Sequence, residues 1–386
     1  MSELTAWLWL ANLKGIGPRD TEKLLSHFKS AAALLAASEQ ELRGLEDVSL
    51  TAIRILRNKN VEEACRIEER CWEKNIRILC ISDPDYPDLL RQIPTPPLVL
   101  YLRGRCSLPD DGLSIGIVGT RRASEYGRET AERLGRELAL AGCPVVTGMA
   151  EGIDSAAARG ALMAHGSVIG VLGCGVDVVY PAWNRKLFEQ VAESGVLVSE
   201  FPPGFHPTKW SFPKRNRIIS GLSQGIAVVQ ASVKSGSLIT AEFAQEQGRD
   251  VFVIPGLAGD ESFAGSHALI QDGAQLINRT EDILSAYHFS PGRSRTEAKP
   301  FGTAEKDRKK PLDINKEAGY SLREQLESLS ETELSLVRLL SEGDKSSDLL
   351  IRESGLKAGD TLSALMLLQI KGYIREKNGQ YHLEVN

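Results

Sequence analysis

The fold of this chain is set by residues 114–148, which read SIGIVGTRRASEYGRETAERLGRELALAGCPVVTG. A short β-branched run, Ser114–Val118, is followed by an amphipathic stretch, Glu125–Ala141, and then by a second apolar run, Pro144–Val146. Short apolar runs predict buried strands, and the 3.6-residue periodicity between them predicts a helix. A helix is long enough to carry the chain back across a sheet, so the two strands are expected to be parallel.

The same alternation continues from Ile76 to about Tyr287. The further apolar runs are Ser167–Leu172, Val196–Ser199, Ile226–Val229, Val251–Ile254 and Gln275–Ile277. The further helical stretches are Asp154–Ala164, Asn184–Glu193 and Ser237–Gln247. Apolar strands separated by helices are typical of a parallel sheet covered on both faces. We therefore predict an α/β fold whose ligand lies beyond the carboxyl ends of the strands.

Two regions with different hydrophobic and charge patterns flank this core. Residues 1–75 have helical periodicity, and residues 323–386 combine helical patterning with a hairpin signal at Asn378-Gly379. Residues 288–322 are rich in both charges and poor in large apolar side chains, which is typical of a linker. The predicted domains are a helical domain (1–75), the α/β core (76–287), a charged flexible linker (288–322) and a winged-helix-like domain (323–386).

Composition restricts the class of protein. The 386 residues carry a net charge of −5 with 25% charged residues, which is ordinary for a soluble globular protein. This charge argues against a surface that coats nucleic acid and leaves room for one local basic site. The six cysteines form no C-x-x-C pair, so most are expected in the core of a protein from a reducing compartment. No signal peptide or membrane span is recognisable, so a cytoplasmic location is predicted.

The turn after the first strand, Gly119–Arg122, predicts an anion-binding site. A glycine turn that leads from a strand into a helix presents backbone N–H groups to anions. Its glycines do not form G-x-G-x-x-G, and the second strand ends in Thr147-Gly148 rather than in a ribose-binding acid. Two arginines in the turn favour a phosphodiester; the alternative is that both are solvated residues at a helix start.

The most informative stretch is FPKRNRIIS at residues 212–220, with Lys209 just before it. No acidic residue occurs between residues 205 and 230. An aromatic ring such as Phe212 in a cationic groove can stack on any base and hold a single strand without reading its sequence. The turn Ser235–Thr240 adds N–H and hydroxyl donors at the same edge of the sheet. The alternative is a helix start with Phe212 in the core and a solvated basic face.

Two other strand-end residues receive structural interpretations. Asp154 is predicted to cap the helix that follows the second strand. Cys174 has no nearby base that would make it a nucleophile, so it is predicted to be a small buried residue. The histidines are scattered and no carboxylates are paired, so no catalytic residue, cofactor or metal site is predicted.

An ordered set of motifs spans most of residues 80–287. It consists of Gly119–Arg121, Gly148–Asp154, Leu172–Asp177, Tyr180-Pro181, Ser199–Gly204, Phe212–Ser220, Ser235–Ala241 and Val253–Gly256. This set resembles the DNA processing protein A family (DprA, also called Smf). The resemblance implies a non-enzymatic, extended Rossmann-like domain that binds single-stranded DNA and forms a homodimer. It also implies that the protein protects incoming DNA and loads RecA recombinase onto it during natural transformation, with single-strand binding protein as a further partner.

The resemblance also implies roles for individual residues. Arg121 and Lys209 would hold phosphate, and Phe212 would stack on a base. Four other residues would line the same pocket, namely Asn216, Arg217, Gly236 and Ser237. Together with the two patterns described above, the predicted DNA-binding set is Gly119, Thr120, Arg121, Arg122, Lys209, Phe212, Lys214, Arg215, Asn216, Arg217, Ser220, Gly236 and Ser237.

The chain departs from the family pattern at two positions. Glu151 stands where the family usually has Arg, which removes a cation near the predicted pocket. Gln230 stands where the family usually has Glu, which removes an acid that a hydrolase would use. Near the N-terminus, Leu13–Pro18 resembles the hairpin of a helix-hairpin-helix, in agreement with the SAM-like region of the family.

Two other functions are open from the sequence. Ser237–Glu242 is similar to a segment of the nucleotide-monophosphate hydrolases of the lysine-decarboxylase-like group, in which Glu242 would be the catalytic acid. Alternatively, the protein is an adaptor that senses a nucleotide second messenger and uses its winged helix on duplex DNA.

Overall fold

The computed structural model describes residues 2–45, 47–106, 108 and 112–289, and further along residues 332, 335–336, 339–340, 345–370, 374–377 and 380–383. The chain divides into two compact units, one within residues 1–302 and the other within residues 303–386. Nearly all of the predicted linker, residues 290–322, lies outside the described residues. The domain boundaries given above therefore stay predictions.

The N-terminal region is helical, as its periodicity predicts. Its helices are α1 (Glu3–Asn12), α2 (Pro18–Phe28), α3 (Ala31–Ala36), α4 (Glu39–Arg43), α5 (Leu50–Leu56) and α6 (Glu62–Glu73). Serine side chains cap α1, α3, α4 and α5, because a serine hydroxyl accepts a hydrogen bond from a free N–H of the first turn. Gly15, with a φ of 94°, and Pro18, in the first turn of α2, separate the first two helices.

Among the described residues of the first unit, nine strands form one sheet. They are β1 (Arg77–Cys80), β2 (Val99–Gly104), β3 (Ile115–Val118), β4 (Val145–Thr147), β5 (Val168–Val171), β6 (Val196–Ser199), β7 (Gly225–Val228), β8 (Asp250–Val253) and β9 (Gln275–Leu276). Their spatial order is β1-β2-β6-β5-β4-β3-β7-β8-β9, and all pairs from β6 to β9 are parallel. The predicted parallel core is confirmed. The strand order reverses between β3 and β7, since β4 to β6 lie on one side of β3 and β7 to β9 on the other.

The sequence-based prediction omits the two strands at one edge of this sheet. β1 pairs antiparallel with β2, and β2 pairs antiparallel with β6. The connection between β1 and β2 contains only a four-residue helix, α7 (Asp88–Arg91), which is too short for the crossover that parallel strands require. The apolar run at β2 therefore does not belong to the pattern of strands that alternate with long helices, from which the sheet was predicted.

Helices cover both faces of the sheet, as predicted for an α/β core. They are α8 (Glu125–Leu140), α9 (Ile153–Met163), α10 (Arg185–Ser194), α11 (Ser211–Gly221), α12 (Ser237–Glu246), α13 (Ala264–Gln271) and α14 (Thr280–Ala286). The buried side chains of α8, α9, α10 and α14 belong to one hydrophobic core, which continues into the N-terminal helices. Those of α7, α11, α12 and α13 belong to the core on the opposite face.

Helices α8 and α9 approach each other closely at two glycines. A Cβ on Gly135 would overlap the carbonyl oxygen of Ala157, and a Cβ on Gly160 would overlap that of Glu132. Only glycine leaves room for backbones at this separation. The contact fixes the position of α9, whose first turn lies beside the candidate site described below.

The second unit contains helices and a small antiparallel sheet. Its described elements are β10 (Lys345–Ser346), α15 (Ser347–Ser354), α16 (Ala358–Ile370), β11 (Ile374–Lys377) and β12 (Gln380–Leu383). Lys377 pairs with Gln380, so the predicted hairpin is present and its two turn residues, 378 and 379, lie outside the described residues. The assignment of this unit as a winged helix stays a prediction.

Most of the cysteines lie in the protein interior, as the sequence predicts. All six cysteines are free, and Cys71, Cys80, Cys143 and Cys174 are buried, which confirms the predicted core role for these four. A search of the described residues finds no helix with the length and apolar character needed to cross a membrane.

Candidate nucleic-acid interface

A cleft opens where the strand order reverses. The turn Gly119–Arg122 after β3 lines one side, and residues between Ser232 and Ser237 after β7 line another. Helix α11 contributes Phe212 and Asn216, and the cleft has a volume of about 400 Å³. Ligands of open α/β sheets bind at this reversal of strand order, beyond the carboxyl ends of the strands. The structure therefore brings the three predicted segments together in one place.

Phe212 and Arg121 are in contact at the cleft. The Cζ atom of Arg121 lies 5.1 Å from the centroid of the Phe212 ring, which is within cation–π range. The ring of Tyr180 lies 5.6 Å from that of Phe212, centroid to centroid, at an angle of 37°. A Cβ on Gly173 would come within 3.0 Å of Phe212 Cδ1, so this glycine lets the ring sit close to the backbone. Phe212 is held by these neighbours and is only half-buried.

A smaller pocket of about 110 Å³ shares Arg121 and Phe212 with the cleft. Its lining also includes Tyr180, Trp183 and Glu151. Glu151 is exposed, so the acid that replaces the usual family arginine borders the site on this side. An exposed carboxylate in this position disfavours a phosphate nearby.

Gln230 holds the turn Gly119–Arg122 in place. Its backbone oxygen accepts a hydrogen bond of 2.8 Å from the N–H of Thr120. Its side-chain oxygen accepts bonds from the N–H and the hydroxyl of Ser124, the cap of α8, and its side-chain nitrogen donates to Ser262. Gln230 is therefore an interior residue whose side-chain oxygen and nitrogen both have protein partners, a role that could not be inferred from its sequence position. Gly119 is required beside it, because a Cβ there would overlap the side chain of Ile153.

The N-terminus of α12 lines the cleft opposite Arg121. Asn216 Nδ2 donates to the carbonyl oxygen of Gly236 at 3.2 Å, which ties α11 to this turn. The hydroxyls of Ser235 and Ser237 are 2.7 Å apart. The N–H of Ser237 donates to the hydroxyl of Ser235 at 3.4 Å and that of Leu238 to the carbonyl oxygen of Ser235 at 3.2 Å, so the two serine hydroxyls and the positive end of the helix dipole are what this turn offers an anion.

Lys234 is a cation of the cleft that the sequence reasoning missed. It is exposed, lines the cleft and forms no ion pair among the described residues. The available signal was its position directly before the small-residue turn at Ser235. The sequence prediction for this turn rests on its N–H and hydroxyl donors and does not include the lysine that precedes it.

Arg215 has a structural position beneath the cleft. It is buried, with 4% of its surface exposed, and its Nη1 donates to the backbone oxygens of Gly148 and Val171 at the ends of β4 and β5. Burial lowers the pKa of the guanidinium to about 10, while nearby Asp154 opposes this shift. Arg215 is thus charged at neutral pH and adds positive potential to the cleft. Its Nη1 hydrogen-bonding capacity is used by the protein itself.

Three other predicted residues also have partners within the protein. Glu200, just after β6, accepts from Arg217 at 2.7 Å and lies 3.2 Å from the Nζ of Lys214. Arg217 is buried, whereas Lys214 is exposed. Ser220 is fully buried, and its hydroxyl donates to the carbonyl oxygens of Arg217 and, more weakly, Asn216. The acid that balances this basic stretch was not found in the sequence because it lies outside residues 205–230.

Arg122 and Lys209 are both exposed and form no ion pair in the described part of the chain. Arg122 lines the cleft together with Arg121. Lys209 lies in the loop before α11 and is not among the side chains that line the cleft.

Asp154 differs from its predicted role. The N-cap of α9 is Gly152, with a φ of 82°, and Asp154 lies in the first helical turn. The prediction of a cap was wrong because the glycine needed for the tight turn takes the capping position. Asp154 is buried beside the cleft, and burial raises the pKa of its carboxyl despite the nearby guanidinium of Arg215.

The thiol of Cys174 lies in the interior beside the smaller pocket, as predicted. It donates weakly to the carbonyl oxygen of Val178 at 3.3 Å, and burial raises its pKa to about 11. Such a thiol is not a nucleophile at neutral pH. Within the part of the chain that the structure describes, no group of three or more His, Cys, Asp or Glu side chains is placed to hold a metal ion.

The matching family profile shows that this sheet and its cleft belong to a class of recombination mediators. A sequence profile for the DNA recombination-mediator protein A family matches residues 77–288, and one for a SAM-like helix-hairpin-helix tandem matches residues 10–61. The chain belongs to the DNA recombination-mediator protein A family, which confirms the resemblance seen in its motifs.

Individual relatives agree with this assignment. Protein Smf of Synechocystis sp. is 33% identical over 389 residues, with 98% of each chain covered. The DNA processing protein DprA of Bacillus subtilis is 43% identical over 229 residues, which are 59% of this chain and 76% of that protein.

Two solved structures are similar to the chain. The X-ray structure of DprA from Streptococcus pneumoniae aligns with a TM-score of 0.61 at 31% identity, covering 74% of this chain and 98% of that one. DprA from Helicobacter pylori aligns with a TM-score of 0.51 at 33% identity, covering 55% of this chain and 95% of that one. The work on the Helicobacter protein concerns its single-stranded DNA binding mode.

Proposed function

We propose that this protein binds single-stranded DNA in the cleft between β3 and β7 and acts as a mediator of recombination. The observation that carries the proposal is the contact between Arg121 and the half-exposed ring of Phe212 at the switch point of the sheet. A cation and an aromatic ring side by side provide one partner for a phosphate and one for a base. This combination grips a strand without reading its sequence.

The phosphate contacts fall to cations that the protein has not already paired. Arg121, Arg122 and Lys234 line the cleft, are exposed and form no ion pair within the described residues. The hydroxyl pair of Ser235 and Ser237 at the N-terminus of α12 adds a hydrogen-bond donor. Neutralisation of phosphates by these groups releases counterions, so binding weakens as salt increases.

Base binding uses the ring of Phe212. The guanidinium of Arg121 lies over this ring. A cation–π contact at an exposed site stabilises by only about 0.5–1 kcal/mol, whereas a charge-assisted bond to phosphate is stronger. We expect Arg121 to turn toward the phosphate when a base arrives, which uncovers the ring for stacking.

The test is fluorescence anisotropy with a labelled oligothymidylate. Phe212→Ala should weaken binding by about 1–3 kcal/mol, because one stacking surface is lost. Phe212→Tyr keeps an aromatic face and should restore most of the affinity, whereas Phe212→Leu should not. Equal affinities for the Leu and Tyr variants would show that the ring serves packing alone, and unchanged binding by Phe212→Ala would contradict the proposal.

RecA delivery is the finer part of the proposal. It rests on membership in the recombination-mediator family, and single-strand binding protein is a further expected partner. The assay is RecA ATP hydrolysis on DNA already coated with single-strand binding protein. Addition of this protein should shorten the lag before hydrolysis, and Phe212→Ala should abolish that effect. A lag that the protein leaves unchanged would remove RecA loading from the account while leaving DNA binding intact.

We further propose a homodimer formed through the Rossmann-like domain, in a cytoplasmic protein that serves natural transformation. Strand β9 forms an edge of the sheet and pairs with β8 alone among the described strands. Leu276 on this strand is 45% exposed, which supports β9 as an assembly edge. Analytical ultracentrifugation of the wild type and Leu276→Lys checks this, since the charge should favour the monomer.

The absence of catalysis is also proposed. Glu242, the acid that a nucleotide-monophosphate hydrolase would use, is exposed on α12 and is not among the residues that line the cleft. Asp154 lies at the cleft, but no second acid accompanies it among the described residues that line the cleft. Release of free base from nucleoside monophosphates, lost in Glu242→Gln, would favour the hydrolase instead.

A further inference from the structure

A second groove begins at the same turn that lines the cleft. It has a volume of about 610 Å³, and Arg121 and Arg122 line both spaces. Its other side contains Arg128 of α8, Arg159 of α9 and the indole of Trp183. The two arginines of the turn therefore make the cleft and the groove continuous.

The groove has an excess of unpaired positive charge. All four of its arginines are exposed, and none forms an ion pair within the described residues. Arg128 donates to the carbonyl oxygen of Ala123, which orients it without neutralising it. Glu151 is the one acid among the lining residues. Exposed cations gathered around a concave surface repel one another and attract a polyanion.

Trp183 gives this groove an aromatic surface. Its side chain is 71% exposed, although an indole is among the largest apolar groups of a protein. The turn that carries it is anchored, since the neighbouring Asn184 is buried and its Nδ2 donates to the hydroxyl of Ser155 on α9 at 2.9 Å. An exposed ring on a fixed backbone loses little conformational entropy when a ligand stacks on it.

We propose that this groove binds the continuation of the same DNA strand that occupies the cleft. The nucleotides that follow the one at Phe212 pass Arg121 and Arg122, their phosphates contact Arg159, and a base stacks on Trp183. The proposal rests on the proposed function and deepens it, because it assigns a second stacking position and a path to the bound strand. Charge, an aromatic face and continuity with the cleft favour a single strand over an acidic peptide, which needs no stacking surface.

The experiment compares two oligothymidylates. The short one has about 6 nucleotides, which is within the length that one compact site holds, and the long one has about 20, which exceeds that length. Trp183→Ala should weaken binding of the long strand by about 5- to 150-fold, the range expected for one stacked base. It should weaken the short strand less, because Trp183 also borders the smaller pocket beside Phe212 but the short strand fills little of the groove. Trp183→Phe should recover much of the loss. Arg159→Gln should make the salt slope of the long strand shallower by about 0.7, the value for one phosphate.

Two matched controls separate the groove from general surface effects. Trp72→Ala removes an indole that is 85% exposed on α6, and Arg136→Gln removes an exposed arginine on α8 that does not line the groove. Neither should change binding at either length. Unfolding curves of all variants should match the wild type, because the replaced side chains are exposed.

The outcomes distinguish the two proposals. If the wild type binds both strands and Trp183→Ala binds the long strand normally, or loses both lengths equally, the second groove is refuted while the cleft stands. Preferential capture of an acidic peptide by the groove, with no effect of Trp183→Ala on DNA, also refutes it. If the wild type binds neither strand, both the proposed function and this inference are refuted.

Discussion

Replacement of Arg215 by methionine tests whether this buried cation supports the fold or contacts the ligand. Methionine keeps much of the volume but removes two charge-assisted hydrogen bonds to the backbone oxygens of Gly148 and Val171. Hydrogen bonds to charged groups contribute about 1.5–3 kcal/mol each, so the free energy of unfolding should fall by about 3–6 kcal/mol. This is a large share of the total stability of a typical domain.

The loss should depend on pH in a defined direction. Burial raises the pKa of Asp154 in the folded state, and Arg215 opposes that rise. In Arg215→Met the opposition is gone, so the pKa of Asp154 rises further. A carboxyl whose folded pKa is raised above its unfolded value stabilises the protein below the unfolded pKa, and that stability is lost as pH rises through the folded pKa. The difference in unfolding free energy between wild type and Arg215→Met should therefore shrink on acidification.

The assay is urea unfolding followed by circular dichroism, at neutral pH and near pH 5. Arg122→Met is the matched control, because Arg122 is exposed and forms no ion pair with any described residue; it should lower DNA affinity and leave unfolding unchanged. An Arg215→Met protein with wild-type stability but reduced DNA affinity would refute the structural role. That result would mean that the guanidinium leaves its carbonyl partners to contact DNA directly.

Three further changes have directions fixed by the structure. Glu200→Gln leaves the buried guanidinium of Arg217 without its carboxylate and should cost about 3–5 kcal/mol in urea unfolding; an unchanged midpoint would contradict the ion pair. Glu151→Gln removes an exposed acid beside the cleft. It should raise the affinity for single-stranded DNA by about 2- to 5-fold at low salt, which is an effect of up to about 1 kcal/mol. Weaker binding would instead assign Glu151 a direct contact with DNA. Gly160→Ala places a methyl group against the carbonyl oxygen of Glu132 and should lower the melting temperature, since overpacking costs about 1–3 kcal/mol; a wild-type melting temperature would show that α8 and α9 can move apart.

The parallel core could be read from the sequence because each of its strands is a local signal. The run at Ser114–Val118 and the helical stretch at Glu125–Ala141 appear in the structure within one residue of their predicted ends. The antiparallel edge could not be read in this way. Whether β2 pairs with β6 depends on how a connection without a long helix folds back, which is a property of the whole sheet.

The sequence predicts which segments form the candidate site, but it does not predict which side chains of those segments contact one another. The glycine turn was predictable because strand ends converge at one edge of a parallel sheet, and Phe212 because it stands in a basic stretch without acids. The distinction between Arg121, which is exposed, and Arg215, which is buried, was not available, because both are arginines in basic stretches. Their difference comes from carbonyl groups of β4 and β5 that reach Arg215 only in the folded chain.

The most direct test of the central claim is the salt dependence of binding to a labelled oligothymidylate and to a duplex of equal length. Among the described residues, three cations without an ion pair line the cleft, Arg121, Arg122 and Lys234. For a short strand that fills only the cleft, the logarithm of the association constant should therefore fall with the logarithm of salt with a slope near −2. The double variant Arg121→Gln/Lys234→Gln should bring the slope to about −0.7. Preference for the duplex, or a slope that the double variant leaves unchanged, would contradict a strand held in this cleft.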